Sequence, residues 1–439
     1  MHRVATQQPH GFTTYQKLVI GVLAFLQFSI VLDFMIMGPL AALLMPALSI
    51  STRQFGLLVS AYAFSAGISG FLAAGFADQF DRKKLLLFFY TGFILGTSLC
   101  GIATTYGFLL LARILTGVFG GVIGSVSMAI VADIFPLQSR GRVMGFVQSA
   151  FGASQVLGLP VGLWLGNRLG WQAPFFLIVA VSACVGAVIL ARLQPITSHL
   201  AAQTTESPLA HLSATVRQGR YLRAFLATMF LATGGFMLMP FASAFSVDNL
   251  KIDLDHLPWV YLATGLSSFI AGPLLGRLSD RIGRYRVFCF GSLTAIALVL
   301  VYCRLGETPL GWVIAINILL FGAVNARMIS SQALVSAVPD LADRGAFMAT
   351  NGSIAQLSGG LAAAVAGLIV VQHPGRPLER YDVLGSVVAG AGLLTIALMY
   401  PIQRMVSARQ VEGQAGLDFG RTQPGGSGAG KPSGSPAAR

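Results

Sequence analysis

The chain has little charge. Asp, Glu, Lys and Arg together make up 10 % of its 439 residues, against roughly 25 % in an average soluble protein. Side chains so sparsely charged cannot cover a water-facing surface of this size, which excludes a soluble multidomain protein. Cysteine is also scarce: Cys100, Cys184, Cys289 and Cys303 sit in or at the ends of apolar runs without metal-ligand spacing, as small buried hydrophobes do. The six histidines form no metal motif. A phosphate loop of the Gly-x4-Gly-Lys-Ser/Thr type is missing, which argues against ATP-driven pumping. With no nucleophile–base constellation either, neither an enzyme nor a bound cofactor is expected. The formal net charge of +13 would suit nucleic acid, but the basic residues are scattered singly or in threes and build no basic face.

Apolar residues are abundant, at 55 % of the chain with a mean hydropathy of +0.73. A helix needs about 20 apolar residues to cross a hydrocarbon core of about 30 Å. Runs of that length occur near 18–45, 54–77, 85–104, 107–132, 142–166 and 172–193, and again near 223–247, 258–278, 286–304, 309–337, 345–371 and 382–403. They predict an all-α membrane protein. Residues 1–17 read as an N-terminal tail, 18–193 as one six-helix half, 194–222 as a polar linker and 223–405 as a second half. Residues 406–439, rich in Gly, Pro and Ser toward the end, read as an unstructured tail. The first run is too long for a cleaved leader and stays as a span.

The two halves repeat one charged loop. AGFADQFDRKKLLL runs from Ala74 to Leu87, and GRLSDRIGRYRVF from Gly276 to Phe288, so that Asp78 matches Asp280 and Arg82 matches Arg284. Repeats of this kind build many secondary carriers. Both loops fall on one side of the membrane, together with Arg140, Arg142, Arg220, Arg223 and both tails. About 21 of the 29 basic residues then share that side and about six the other, and the positive-inside rule makes the basic side cytoplasmic.

Twelve spans, a two-half repeat and these loops resemble the major facilitator superfamily over residues from about 17 to 405. The family pattern G-x-L-A-D-R/K-x-G-R-R/K is matched by Ala74–Lys83, with Ala74 and Asp81 where glycine is usual, and more closely by Gly276, Asp280, Arg281, Gly283 and Arg284. LLARILTGVFGG, with Arg113 and Gly117, resembles the helix-4 motif. ADIFPLQSRGRVMG, with Asp133, Pro136 and Arg140, resembles the helix 4–5 junction, echoed by VPDLADRGAFM. VLDFMIMGPLAALLMPAL resembles the acidic helix-1 motif of twelve-span drug and sugar efflux members, and the antiporter motif of helix 5 survives in part as Gly158-Leu159-Pro160-Val161-Gly162. The resemblance implies a major facilitator fold and an inner-membrane secondary transporter working as a monomer without cofactors. It further implies alternating access and efflux of drug-like or sugar-like small molecules, with a proton gradient as energy source and drug resistance among its roles. An importer or uniporter of a small metabolite, and a non-transporting membrane sensor or assembly factor, are the alternatives.

Candidate functional residues follow from polarity inside spans. Asp33 is an acid well inside the first run, where a charge costs about 2.5–3.5 kcal/mol on insertion scales. Helix spacing brings it within reach of Arg113, and the two are expected to form a proton-coupling pair or else a static tie between helices 1 and 4. Arg327 is the second intramembrane cation, and is expected to face an anionic substrate or to hold helix carbonyls. With Tyr62, Gln148, Gln155, Asn325, Asn351 and Gln356 it forms the expected substrate cavity. Asp78, Arg82, Asp133, Asp280 and Arg284 are expected to act as conformational latches, as the resemblance implies, or only as topogenic charge. The glycine rows Gly117-Gly120-Gly121-Gly124 and Gly158-Gly162-Gly166 predict close helix packing.

Overall fold

The computed structural model describes residues 12–73, 76–197, 200, 218–340, 343–373 and 376–421, with side chains described there except at 78, 137, 138, 344 and 409–421. Most of the expected linker, and the outer parts of both expected tails, lie outside the described residues. Twelve helices are long and apolar enough to span a bilayer. They are α1 Thr14–Met35, α2 Thr52–Ala73, α3 Arg82–Gly101, α4 Tyr106–Ile134, α5 Ser139–Leu169 and α6 Ala173–Arg192. The remaining six are α7 Gly219–Asp248, α8 Leu254–Ile282, α9 Arg284–Tyr302, α10 Leu310–Val335, α11 Gly345–Ile369 and α12 Tyr381–Ala408. Among the described residues an isolated bridge, Val371–Glu379, is the nearest approach to a strand. The expected all-α membrane fold is therefore what forms. Hydrocarbon cannot hydrogen-bond a peptide group, so a spanning segment must satisfy its own backbone.

Proline sets the places where these helices depart from regularity. Pro39 offers no N–H to the carbonyl of Met35, and α1 gives way at Ile36 to a short helix, Met37–Leu48, where the sequence predicts one continuous span. Pro240 does the same in α7, which tightens into a 3₁₀ turn over Met239–Phe241. Pro160 leaves the carbonyl of Val156 without its partner, and α5 widens into a π turn over Ser154–Gly158. The last helix continues to Arg421, past residue 406 where the sequence predicts the tail to begin. Its extension, ARQVEGQA, is made largely of good helix formers.

The glycine rows let helices approach closely, except at Gly124, where nothing lies within 4 Å: Gly117 and Gly121 of α4 admit the carbonyls of Tyr62 and Ala66. On α5, Gly158, Gly162 and Gly166 meet Leu32, Ile36 and Leu40, so two helices mesh through one repeat of four residues. Between the first six and last six helices the main seam is α2 against α11. A methyl group at Gly56 would stand 2.7 Å from the Ala363 carbonyl oxygen and 3.0 Å from Gly367 Cα. On α8, Gly265 admits the π turn of α5: a methyl group there would lie 2.8 Å from the Gln155 carbonyl oxygen.

Side-chain hydrogen bonds across the two halves gather at one end. Thr52 donates to the Val370 carbonyl at 2.7 Å, Asn167 to that of Leu254 at 2.6 Å, and Ser243 to that of Gly38 at 2.6 Å. Phe55 meets Phe241 edge-on there, with ring centroids 5.7 Å apart. Toward the basic loops the α5–α8 contact thins out at Gly152 and Phe269, and positions 141, 145, 272 and 276 have nothing within 4 Å of a built methyl group. The bundle is closed at the end away from the basic loops and parted between α5 and α8 at the basic end.

The α2–α11 seam has no room for a side chain at Gly56. Gly56→Leu should cost about 1–3 kcal/mol, the usual range for overpacking, and lower the melting temperature of the purified protein. Gly21→Leu on α1, where nothing lies within 4 Å, should melt like the parent. Equal melting of the two variants would refute this packing.

Candidate functional site

Asp33 and Arg113 meet in the interior of the first half. Asp33 lies in the last turns of α1 and Arg113 two turns into α4. The guanidinium donates through Nη1 to Asp33 Oδ2 at 2.8 Å, and both side chains are completely buried. Thr97 of α3 donates to the other carboxylate oxygen at 3.2 Å. The Tyr62 ring of α2 lies under the guanidinium carbon at 4.4 Å, and such a cation–π contact is worth about 0.5–2 kcal/mol. Four helices of one half thus converge on a single ion pair. Nε and Nη2 of Arg113 are buried with no hydrogen-bond partner, so the carboxylate is the guanidinium's main polar support. Losing one member of such a pair strands the other as a buried charge.

The spacing of Asp33 and Arg113 along their helices made this pair legible in the sequence. Thr97 and the stacking of Tyr62 were not. Thr97 is one hydroxyl in an apolar run, and which way it points is decided only when α3 packs on α1. Tyr62, expected in the substrate cavity, belongs instead to the wall of the ion pair. Gln148 is exposed, Gln155, Asn325 and Gln356 are half-buried, and Asn351 accepts from Thr228 of α7 at 2.7 Å. Arg327 is 5 % exposed, with Nε and Nη2 buried and unpartnered.

The repeated loops have diverged. Arg82 donates through Nε to Asp133 at the foot of α4 at 3.1 Å and through Nη1 to the Ala77 carbonyl at 2.8 Å. The Asp78 side chain lies outside the described residues. The acid at position 81, where the family has glycine, caps α3: its carboxylate accepts from the N–H groups of Lys83 and Ile196. In the second half Gly283 turns with φ 104°, a conformation that favours glycine. Asp81 has φ −55° and reaches a similar corner by capping. Aligning Pro136 with Pro339 puts Ser336 where Asp133 stands. Arg284 accordingly finds Asp280 only at 3.6 Å and the Ala333 carbonyl at 3.4 Å, and stays more than a third exposed. The foot of α10 is held differently, by Arg220 paired with Asp340 and by Tyr221 donating to Asp343 at 2.7 Å. The paired loops carry no signal for that cluster.

Twelve spans in two six-helix sets, meeting along small-residue seams and parted at one end, define a membrane transporter. The chain belongs to the major facilitator superfamily, whose sequence model, Major Facilitator Superfamily, matches residues 23–231 and 224–424. It is 28 % identical over 268 residues to "Uncharacterized MFS-type transporter YceJ" of Bacillus subtilis (strain 168), covering 61 % of this chain and 68 % of that protein. It is 23 % identical over 351 residues to "Probable sugar efflux transporter" of Mannheimia succiniciproducens, covering 79 % of this chain and 84 % of the relative. Among solved structures, a bacterial homologue of the human lysosomal transporter Spinster, in an inward-facing and occupied conformation, superposes with a TM-score of 0.65. That match has 15 % identity and covers 91 % of this chain and 97 % of the other, which establishes likeness of fold.

The loop asymmetry is measurable. Asp133→Asn removes a carboxylate that is 15 % exposed beside Arg82, whereas Asp280→Asn removes one that is 71 % exposed. The first should lower the melting temperature clearly and the second hardly at all, because solvent-exposed pairs contribute only about 0–1 kcal/mol. Equal losses in the two variants would show that the loops carry equivalent ties.

Proposed function

We propose that the chain is a proton-coupled antiporter of the bacterial inner membrane that exports small drug-like or sugar-like molecules, with both termini in the cytoplasm. One observation carries the reading: a carboxylate and a guanidinium, both fully buried, 2.8 Å apart inside the spans. Such a pair can hold or release one proton and change the local charge by one. With Asp33 ionised the pair ties α1 to α4. A proton on Asp33 cancels the carboxylate's negative charge and leaves Arg113 a hydrogen bond to a neutral acid in place of the ion pair, and α1 is then free to move against α4. The two six-helix halves would rock about the α2–α11 and α5–α8 seams between inward-open and outward-open forms. The form described here, parted at the basic end with the pair intact, corresponds to a carrier that has released its proton inward and can collect substrate from the cytoplasm. The remaining polar candidates, Gln148, Gln155, Asn325, Arg327, Asn351 and Gln356, would then contact the substrate. Arg82 with Asp133 would latch the cytoplasmic end of the first half, Asp78 contributing, and Asp280 with Arg284 would act more weakly in the second. The relatives named as sugar efflux transporters support the direction of transport.

Coupling is tested by substrate flux in proteoliposomes with and without an imposed pH gradient. Asp33→Asn should keep downhill flux and lose gradient-driven accumulation. Its stranded Arg113 should cost about 3–5 kcal/mol of stability, and adding Arg113→Gln should restore folding without restoring coupling. Uphill transport by Asp33→Asn would place the coupling proton elsewhere.

Orientation is tested separately. In a background without native cysteines, Gln194→Cys should react with impermeant maleimide only after the membrane is opened, and Glu307→Cys in intact cells. The reverse pattern would invert the topology.

A further inference from the structure

We infer that Arg327 binds the acidic group of the transported molecule, and that this molecule is a small monocarboxylate. The inference deepens the exporter reading and rests on it for the word transported. Arg327 lies about eight residues, or roughly 12 Å at 1.5 Å per residue, from the basic end of α10. It is buried, and Nε and Nη2 have no hydrogen-bond partner. No acid can serve it from within its own half: every acid between residues 223 and 405, from Asp248 to Asp382, stands at a span end or in a loop. Asp33, the intramembrane acid of the other half, is already committed to Arg113. Arg327 does not fulfil the structural role of other arginines here either. Arg140 and Arg304 donate to helix carbonyls, Arg140 at 2.6 and 2.9 Å and Arg304 at 2.8 Å, whereas no such bond forms at Arg327.

The internal repeat shows what is missing. The breaks at Pro39 in α1 and Pro240 in α7 align the halves, and Asp33 then falls on Gly234. The Arg327 guanidinium faces that glycine: a methyl group built on Gly234 would stand 3.5 Å from Nη2 and 3.6 Å from Nη1, and beside it one built on Gly235 would meet nothing within 4 Å. The second half therefore presents a guanidinium against the place where the first half has its acid, with glycine instead of a carboxylate. An uncompensated cation in the membrane core is costly, and a ligand that supplies one negative charge neutralises it. A planar guanidinium with free donors matches a carboxylate in bidentate geometry better than a point charge would. One cation calls for one anion, hence a monocarboxylate over a neutral sugar or a lipophilic cation.

The test uses the purified full chain, with thermal shift and equilibrium dialysis against gluconate, glucuronate and benzoate, and against glucose and tetraphenylphosphonium as uncharged and cationic controls. At least one carboxylate should raise the melting temperature of the wild type while the controls do not. Arg327→Gln should weaken that binding by about tenfold or more, with Arg327→Lys intermediate. Without ligand, Arg327→Gln should melt at or above the wild type, since it removes an unpaired charge; a clear drop would mean a structural partner and overturn the proposal. Gly234→Asp, which recreates the acid of the first half, should raise the melting temperature and abolish carboxylate binding. Silence from all three carboxylates, equal shifts by glucose, or unchanged binding in Arg327→Gln each overturns the inference. If Arg327-dependent binding holds but the bound acid is not driven by a pH gradient, the exporter reading fails and the anion site stands. If gradient-driven export occurs without Arg327-dependent binding, this inference alone fails.

Discussion

Hydrocarbon offers a peptide group nothing to bond to, and most of this fold follows from that constraint. Each span must be helical, and each interruption of a helix must be covered. The interruptions at Pro39, Pro160 and Pro240 all lie where one half meets the other. The Gly38 carbonyl next to the α1 break accepts from Ser243 beyond the α7 break. The π turn of α5 presses the Gln155 carbonyl into the notch at Gly265. Irregular backbone, expensive in lipid, is confined to surfaces where another helix screens it. Those same surfaces would have to separate if the two halves rocked apart.

Electrostatics divides the interior unevenly between the halves. In the first, Asp33 and Arg113 cancel each other, and Thr97 and Tyr62 support one partner each. In the second, Arg327 has neither an acid nor a carbonyl to receive its donors. A self-compensated pair suits a site that changes charge by gaining or losing a proton. An uncompensated guanidinium suits a site completed by something from outside. The halves share one architecture, and their difference in charge is where they specialise.

The paired loops show how a repeat drifts while keeping its shape. Gly283 turns the chain with a positive φ, and Asp81 turns it by capping the next helix. Ser336 stands where Asp133 stands in the first half, so no carboxylate lies there beneath α10, and the basic end of the second half is tied through Arg220, Tyr221, Asp340 and Asp343 instead. The looser of the two sequence matches therefore corresponds to the buried tie and the closer one to the exposed tie, a distinction that depends on a residue about fifty positions away from the motif.

The sequence by itself determined the solvent of this protein, the number of its spans, its family and the approximate depth of one ion pair: apolar run length and charge scarcity are local properties, and a helix converts residue spacing into depth at a known rise. Asp33 and Arg113 were legible because depth brings them within reach of each other. Rotation about each helix axis is not local, and it settled the rest. It put Tyr62 beneath Arg113, turned Thr97 toward Asp33, committed Asn351 to Thr228 and left Arg327 facing Gly234. None of these orientations is written in a single run, because the hydrophobic face of a span looks much the same whether it meets lipid or protein. Only the packing of twelve helices, set by which glycines allow close approach, decides which side of each helix looks inward.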